Sequence, residues 1–247
     1  MIKRAVIKLS GEQIGHGAEG SLYNDAVIDC IANQIKKAME SGTHLSLVVG
    51  GGNLWRGRAA NPCMNRIKAD QIGMLATVMN AIYLEEAFRQ QNVAAKVMTP
   101  IPMGNFTTSY EKDKALNLMR QGIVVINAAG LGHPLFSTDT VTALRAAELE
   151  ADMVLFAKTV DGVYTADPRK EKGAKKYKSL SYDHAIKNSI SIADMAALHM
   201  LNEAGIPSYV FKLDAPESIN LACNYPYTKK LEGTYLCVAG QEEYYGH

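Results

Sequence analysis

The chain has 247 residues, 47% of them hydrophobic and 21% charged, with a formal net charge of +1. That length suits one large α/β domain or two small lobes sharing a sheet, and the near-neutral balance excludes a broad basic surface for nucleic acid. The four cysteines, Cys30, Cys63, Cys223 and Cys237, are far apart and form no C-x-x-C pair, which points to free thiols in a reducing cytoplasm rather than disulfides or a zinc site.

In chain order, Ala5–Leu9 reads as a first strand, and Lys8 within it falls too early for a signal-peptide core. Asp25–Glu40 follows as a helix and Leu45–Val49 as a second strand. Met64–Gln90 is a long helical pattern with methionines at 64, 74 and 79. Then come a strand at Ala95–Thr99, a helix at Tyr110–Arg120, a strand at Ile123–Asn127, a helix at Thr140–Glu150 and a strand at Met153–Ala157. Asp183–Asn188 and Asp194–Ala204 read as helices, Ser208–Phe211 as extended and Gly233–Val238 as a last strand. The charged run 167–178 reads as a solvated loop, and 241–247 as a loose tail. No apolar run approaches the roughly 18 residues that span a bilayer, so the expectation is a soluble cytoplasmic protein with no membrane partner. Strands separated by helices of this length imply a mainly parallel sheet covered on both faces. Ligands of such sheets sit beyond the carboxyl ends of the strands.

Three of those ends carry related chemistry. The second strand runs into Gly50-Gly51-Gly52, with Arg56 four residues later. Glycines let backbone N–H groups approach a ligand, and arginine offers a charged planar fork to phosphate or carboxylate. The first strand ends in Lys8-Leu9-Ser10-Gly11, which sets an ammonium beside exposed donors. The fourth leads through Leu131-Gly132-His133-Pro134 to Ser137-Thr138-Asp139, where Thr138 or Asp139 could cap the next helix and its N-terminus could receive an anion. The fifth continues into Lys158 and then Asp161-Gly162, a hairpin-turn signal. A P-loop, a G-x-S-x-G elbow and an H-E-x-x-H helix are absent.

Taken together, Lys8–Glu12, Gly50–Asn53 and Val160-Asp161-Gly162-Val163-Tyr164-Thr165-Ala166-Asp167-Pro168 resemble the amino acid kinase family, a three-layer αβα sandwich. Met64-Asn65-Arg66, Asp70, Gly73–Asn80, Gly132–Asp139 and Asp194–Ala197 are similar to its bacterial UMP kinase branch, and the likeness spans residues 3–238. The resemblance implies a single domain, with an acceptor-binding part at about 1–150 and an ATP-binding part at about 151–238. It implies transfer of the γ-phosphoryl group of ATP, with Mg2+, to UMP. Lys8, Asp139 and Asp194 would be catalytic, the two carboxylates organising the centre through Lys8 or Mg2+. Lys8, Ser10, Gly11, Gly52, Arg56, Lys158, Tyr164 and Asp167 would bind ATP. Gly51, Arg56, Asp70, Leu131, Gly132, His133 and Thr138 would bind UMP, and no metal ligands are expected in the protein itself. A homohexamer built from dimers is implied, with GTP activating and UTP inhibiting. His133, Lys158-Thr159 and Lys212 depart from the family pattern and bear on nucleotide preference.

A phosphate monoester acceptor suits a site poor in histidine. Its second pKa is about 6, so the attacking oxygen is already largely deprotonated at neutral pH, and the loose transition state mainly needs cations and N–H donors. Two other readings stay open on the residues: a carboxylate or carbamate kinase of this fold, and a non-catalytic nucleotide- or oxyanion-binding protein.

Overall fold

A computed structural model describes residues 2–57, 61, 63–213, 217–225 and 231–245. Its strands are β1 (Arg4–Leu9), β2 (His44–Val49), β3 (Ala95–Thr99), β4 (Thr108–Ser109), β5 (Val124–Asn127), β6 (Met153–Lys158), β7 (Tyr177–Ser181), β8 (Ser208–Lys212), β9 (Gly233–Cys237) and β10 (Glu243–Tyr244). The helices are α1 (Gly11–Ile14), α2 (Asp25–Glu40), α3 (Arg66–Gln90), α4 (Lys112–Arg120), α5 (Thr138–Glu148), α6 (Tyr182–Lys187), α7 (Met195–Glu203) and α8 (Ser218–Cys223). All strands join one sheet in the order β10-β7-β9-β8-β6-β1-β2-β5-β3-β4. Only the β8–β9 and β7–β10 pairings are antiparallel, so the sheet is mainly parallel, as its long helical crossovers require.

Side chains alternate across a pleated strand, and here each face has its own core. Ala5, Ile7, Leu9, Leu45, Leu47, Val49, Leu155 and Phe211 pack beneath α2, α3 and α8. Val6, Val48, Val125, Val154, Phe156 and Val210 pack on the other side, with α4, α5, α6 and α7. The result is the αβα sandwich that the strand–helix alternation implies. By the same period-two rule, Lys8, Asn127 and Lys158 fall on the α5/α7 face, Lys8 one residue before the end of β1 and the other two at the last residue of their strands. That register brings them together.

Helix starts are set by short polar caps. Asn24 accepts from Val27 N, Asn65 from Ile67 N, Ser137 from Asp139 N and Asp194 from Ala197 N, which satisfies otherwise orphaned donors. α5 therefore begins at Thr138 rather than Thr140, and its cap is Ser137, not Thr138 or Asp139 as the sequence suggests. The side chains of Thr138 and Asp139 are left free of that duty.

Two regions read as loose are partly ordered by pairing. Tyr177 and Lys178, the end of the expected loop 167–178, belong to β7. Within 241–247, Glu243 and Tyr244 form β10 on β7, and Lys178 Nζ bonds Glu243 Oε2 at 2.8 Å; residues 246 and 247 lie outside the described residues. Asp161-Gly162 is not the tip of a two-residue hairpin. The antiparallel contact is wider, with Thr165 N donating to Lys175 O and Tyr177 N to Val163 O. Among the described residues, no helix is long and apolar enough to cross a membrane.

Candidate active site

Three loops at the carboxyl ends of β1, β2 and β5 enclose a cavity of about 690 Å3. Their mutual fit explains the glycines. A Cβ on Gly11 would lie 2.5 Å from Asn53 Oδ1, 2.7 Å from Gly50 O and 2.8 Å from Gly52 N, so the first and second strand loops touch backbone to backbone. A Cβ on Gly51 would meet α3, at 2.9 Å from both Ala76 Cβ and Gly73 O. The loop after β5 holds Ala129, Gly130, Gly132 and Leu135 at positive φ, a conformation cheap for glycine and costly for the other two.

α3 secures these loops from below. Buried Asn80 donates to Gly50 O at 2.7 Å and forms a reciprocal amide pair with Asn53. Thr77 Oγ1 accepts from Ala129 N at 2.8 Å. Asp70 accepts from Leu135 N at 3.0 Å and from Arg66 Nε at 2.9 Å, and so fastens the strained loop to the helix.

Of the residues expected from sequence, Lys8, Gly51, Gly52, Arg56, Asp70, His133, Thr138 and Asp139 line this cavity. Lys8 Nζ lies 3.3 Å from Asp139 Oδ1, with side chains only 16% and 18% exposed. That oxygen is buried yet receives no directed hydrogen bond, so charge rather than geometry holds the pair. Arg56 bonds Glu12 at 2.7 Å across the mouth of the cavity. Both side chains are well exposed, and an ion pair of that kind is worth little, so an entering anion can compete for the arginine.

The other expected residues stand outside the cavity wall. Ser10 caps α1, and Gly11 is consumed by the loop contact just described. Leu131 packs on the second core, and Gly132 faces Pro100 and Ile101. Asp194 clasps α5 to α7: it caps α7 through Ala197 N and accepts from Ser137 Oγ and, at 2.7 Å, from Thr140 Oγ1. Burial pushes its carboxyl up, but these bonds outweigh it and hold it below the usual range. Asp167 engages Arg169.

Lys158 donates to the Ile192 carbonyl. Burial lowers its pKa, with Lys8 adding to the fall and Asp139 opposing it. Two lysines thus share one acidic partner at the junction of β1, β6 and α5. Just beyond, at the ends of β6 and β8, a second cavity of about 450 Å3 is lined by Thr159, Val160, Asp161, Lys212, Leu231 and Glu232. Tyr164 donates to Asp161 at 3.0 Å. The two cavities lie at strand ends of the one sheet, with Lys8 and Asp139 on the wall of the larger and Lys158 at the end of β6, the strand between β1 and β8.

Sequence reasoning missed Trp55, Met74, Thr77 and Asn127 among the lining residues. It also passed over Gly15-x-Gly17-x-x-Gly20, which has the spacing of a dinucleotide-binding fingerprint. α1 separates that run from β1, and a Cβ on Gly17 would fall 1.9 Å from Tyr23 O, so Gly17 serves chain packing, whereas Gly20 stands in open space at a φ of +81° and serves the turn. Among the described residues, no group of three or more His, Cys, Asp or Glu side chains is arranged to hold a metal ion.

An anion cradle of glycine loops, a helix N-terminus and paired lysines defines a phosphotransferase site. The model of the amino acid kinase family matches residues 3–212, and the chain belongs to that family. It is 33% identical to the UMP kinase of Bacillus anthracis, with 99% of each chain covered and a TM-score of 0.92. It is 32% identical to the UMP kinase of Ureaplasma parvum, covering 95% of this chain and 98% of that one at a TM-score of 0.87. With the uridylate kinase of Archaeoglobus fulgidus it shares 26% identity and a TM-score of 0.68, over 94% and 99% of the two chains.

Proposed function

We propose that this protein is a UMP kinase, transferring the γ-phosphoryl group of ATP to UMP to give UDP and ADP. The observation that carries the reading is the Lys8–Asp139 pair on the wall of the larger cavity, supported by near full-length likeness to two UMP kinases.

In this reading the larger cavity takes UMP. Gly51, Arg56 and Thr138 hold its phosphate, Asp70 its ribose, and the 131–138 loop its base, with His133 on the wall. The second cavity and its rim at Lys158, Tyr164 and Asp167 take ATP, whose phosphates reach Ser10, Gly11 and Gly52. The acceptor phosphate attacks as its dianion, so no side chain has to remove a proton. Lys8 and Lys158 neutralise charge building on the transferred group, and preorganised donors of this kind are worth about 3 kcal/mol each. Asp139 keeps Lys8 aimed, while Asp194 positions the α5 N-terminus rather than touching substrate.

Mg2+ fits the site as a companion of ATP. Magnesium is commonly held by one or two carboxylates plus substrate phosphates, and the buried oxygen of Asp139 that lacks a hydrogen bond is a candidate for such a contact. Bound there, the ion would offset phosphate charge. The outer face of α3 leaves Ile72, Leu75, Met79 and Ile82 exposed at spacings of three and four residues, which supports self-association, and the family resemblance extends this to a hexamer of dimers.

The test is ADP formation from ATP and Mg2+ with UMP, CMP, dUMP, aspartate and acetylglutamate in parallel, with and without GTP. Rapid turnover with UMP alone is expected. No turnover with any acceptor, in protein that still binds ATP, would replace the reading with a binding protein.

A further inference from the structure

Past β9 the chain folds back along the sheet edge, where His184 Nδ1 meets Glu242 at 3.0 Å and the Tyr177 and Tyr244 rings lie 4.8 Å apart. This places Tyr245 against the frame of the second cavity. Its hydroxyl donates to Gly233 O at 2.9 Å and accepts from Gly233 N at 3.2 Å. Its own N–H donates to Lys176 O at 3.1 Å, and the Lys176 ammonium sits 4.9 Å from the ring centroid.

That ammonium is largely buried, at 9% exposure, and bridges two carboxylates, Asp161 at 2.9 Å and Glu232 at 3.6 Å. Both carboxylates line the second cavity, on opposite strand connections. Tyr245 therefore grips each wall: the 232–233 backbone directly, and Asp161 through Lys176. The electrostatics give the grip a purpose. Two unpaired carboxylates beside a polyanionic ligand would repel it, and a cation held between them removes much of that repulsion. Ring and hydroxyl together keep the cation in place, since a cation over an aromatic face is attracted to it.

We propose that Tyr245 is a positioning residue for the phosphoryl donor, holding the Asp161–Lys176–Glu232 bridge and the Gly233 backbone at the spacing the donor nucleotide requires. The inference rests on the reading of the second cavity as the ATP site. It assigns a role in donor binding to a segment beyond residues 3–212, the span that the family model matches.

The experiment uses the full chain with Tyr245→Phe, which keeps the ring and loses the hydroxyl, and Tyr245→Ala, which loses both. The Kd for MgATP is measured by calorimetry without acceptor, the Kd for UMP by the fluorescence of the single tryptophan, Trp55, and unfolding by a thermal melt. Loss of the hydroxyl's two hydrogen bonds to Gly233 should weaken MgATP about fivefold in Tyr245→Phe, with a larger loss in Tyr245→Ala. UMP affinity and the melting midpoint should stay at parental values in Tyr245→Phe. MgATP affinity within twofold of the parent in both variants overturns the inference. So does parallel loss of ATP affinity, UMP affinity and melting midpoint, which would make the segment only structural. If the parent binds ATP but never phosphorylates UMP, and the variants still weaken ATP, the role of Tyr245 stands while the assignment as UMP kinase falls. A parent that binds no ATP overturns both.

Discussion

Replacing Lys8 with methionine separates what its charge does for folding from what it does for transfer. At the observed 3.3 Å and an effective dielectric of about 20, the attraction to Asp139 is about 5 kcal/mol. Desolvation of two mostly buried charges offsets part of it, so removing one partner should cost about 3 kcal/mol of stability, chiefly because Asp139 is left uncompensated. Adding Asp139→Asn removes that stranded charge, and the double variant should regain about 2 kcal/mol. Turnover should behave differently. Loss of a preorganised cation costs about 100- to 1,000-fold in kcat, and neutralising Asp139 cannot restore it. Urea denaturation at constant m and ADP release under saturating substrates measure the two quantities on the same proteins. A Lys8→Met enzyme with kcat within tenfold of the parent, or a double variant that recovers turnover along with stability, would refute the reasoning.

Three further outcomes are expected. Asp70→Ala breaks the tether to Leu135 N and should raise the KM for UMP about tenfold with kcat largely kept, as for a lost charge-assisted hydrogen bond; an unchanged KM would remove Asp70 from the acceptor site. Gly11→Ala drives a methyl into the Gly50 and Gly52 backbone, and should cost about 1–3 kcal/mol while raising both substrate KM values. An unaltered melt and unaltered KM values would show that the two loops do not need their close contact. Asp194→Ala should lower the melting midpoint at pH 7 through loss of the α5–α7 clasp. Its folded carboxyl titrates below the unfolded value of about 3.9, so it adds stability above that pH and loses it as pH falls through the folded value. The gap between parent and variant should accordingly narrow below about pH 4, and a gap that widens there would contradict the assignment.

Much of the site was legible because it depends on strand ends. A buried strand in a parallel sheet announces itself by an apolar run, and whatever follows it must lie at the carboxyl edge. Lys8, Gly51, Gly52, Arg56, Thr138 and Asp139 could therefore be placed together before any pairing was known. Asn80 and Thr77 could not, since a polar residue in a 25-residue helix carries no mark of which loop it will meet. Asp194 stood out in the sequence but its contacts did not, because a carboxylate that caps one helix and clasps another looks the same in sequence as one that faces substrate.

The αβα layering, the alternation of core faces and the chemistry of the three loops follow from the chain's own periodicity and from which residues stand at its breaks. Those are local properties, and local order suffices to determine them. The register that brings Lys8, Lys158 and Asp139 together, the amide pair under Gly50, and the folding of Tyr245 onto the second cavity depend on segments distant in sequence. Strands as short as Glu243–Tyr244 have no pattern of their own; they exist because β7 offers unpaired donors and acceptors along its edge. Only the assembled sheet could decide those contacts, because the free energy that forms them comes from partners the local sequence does not contain.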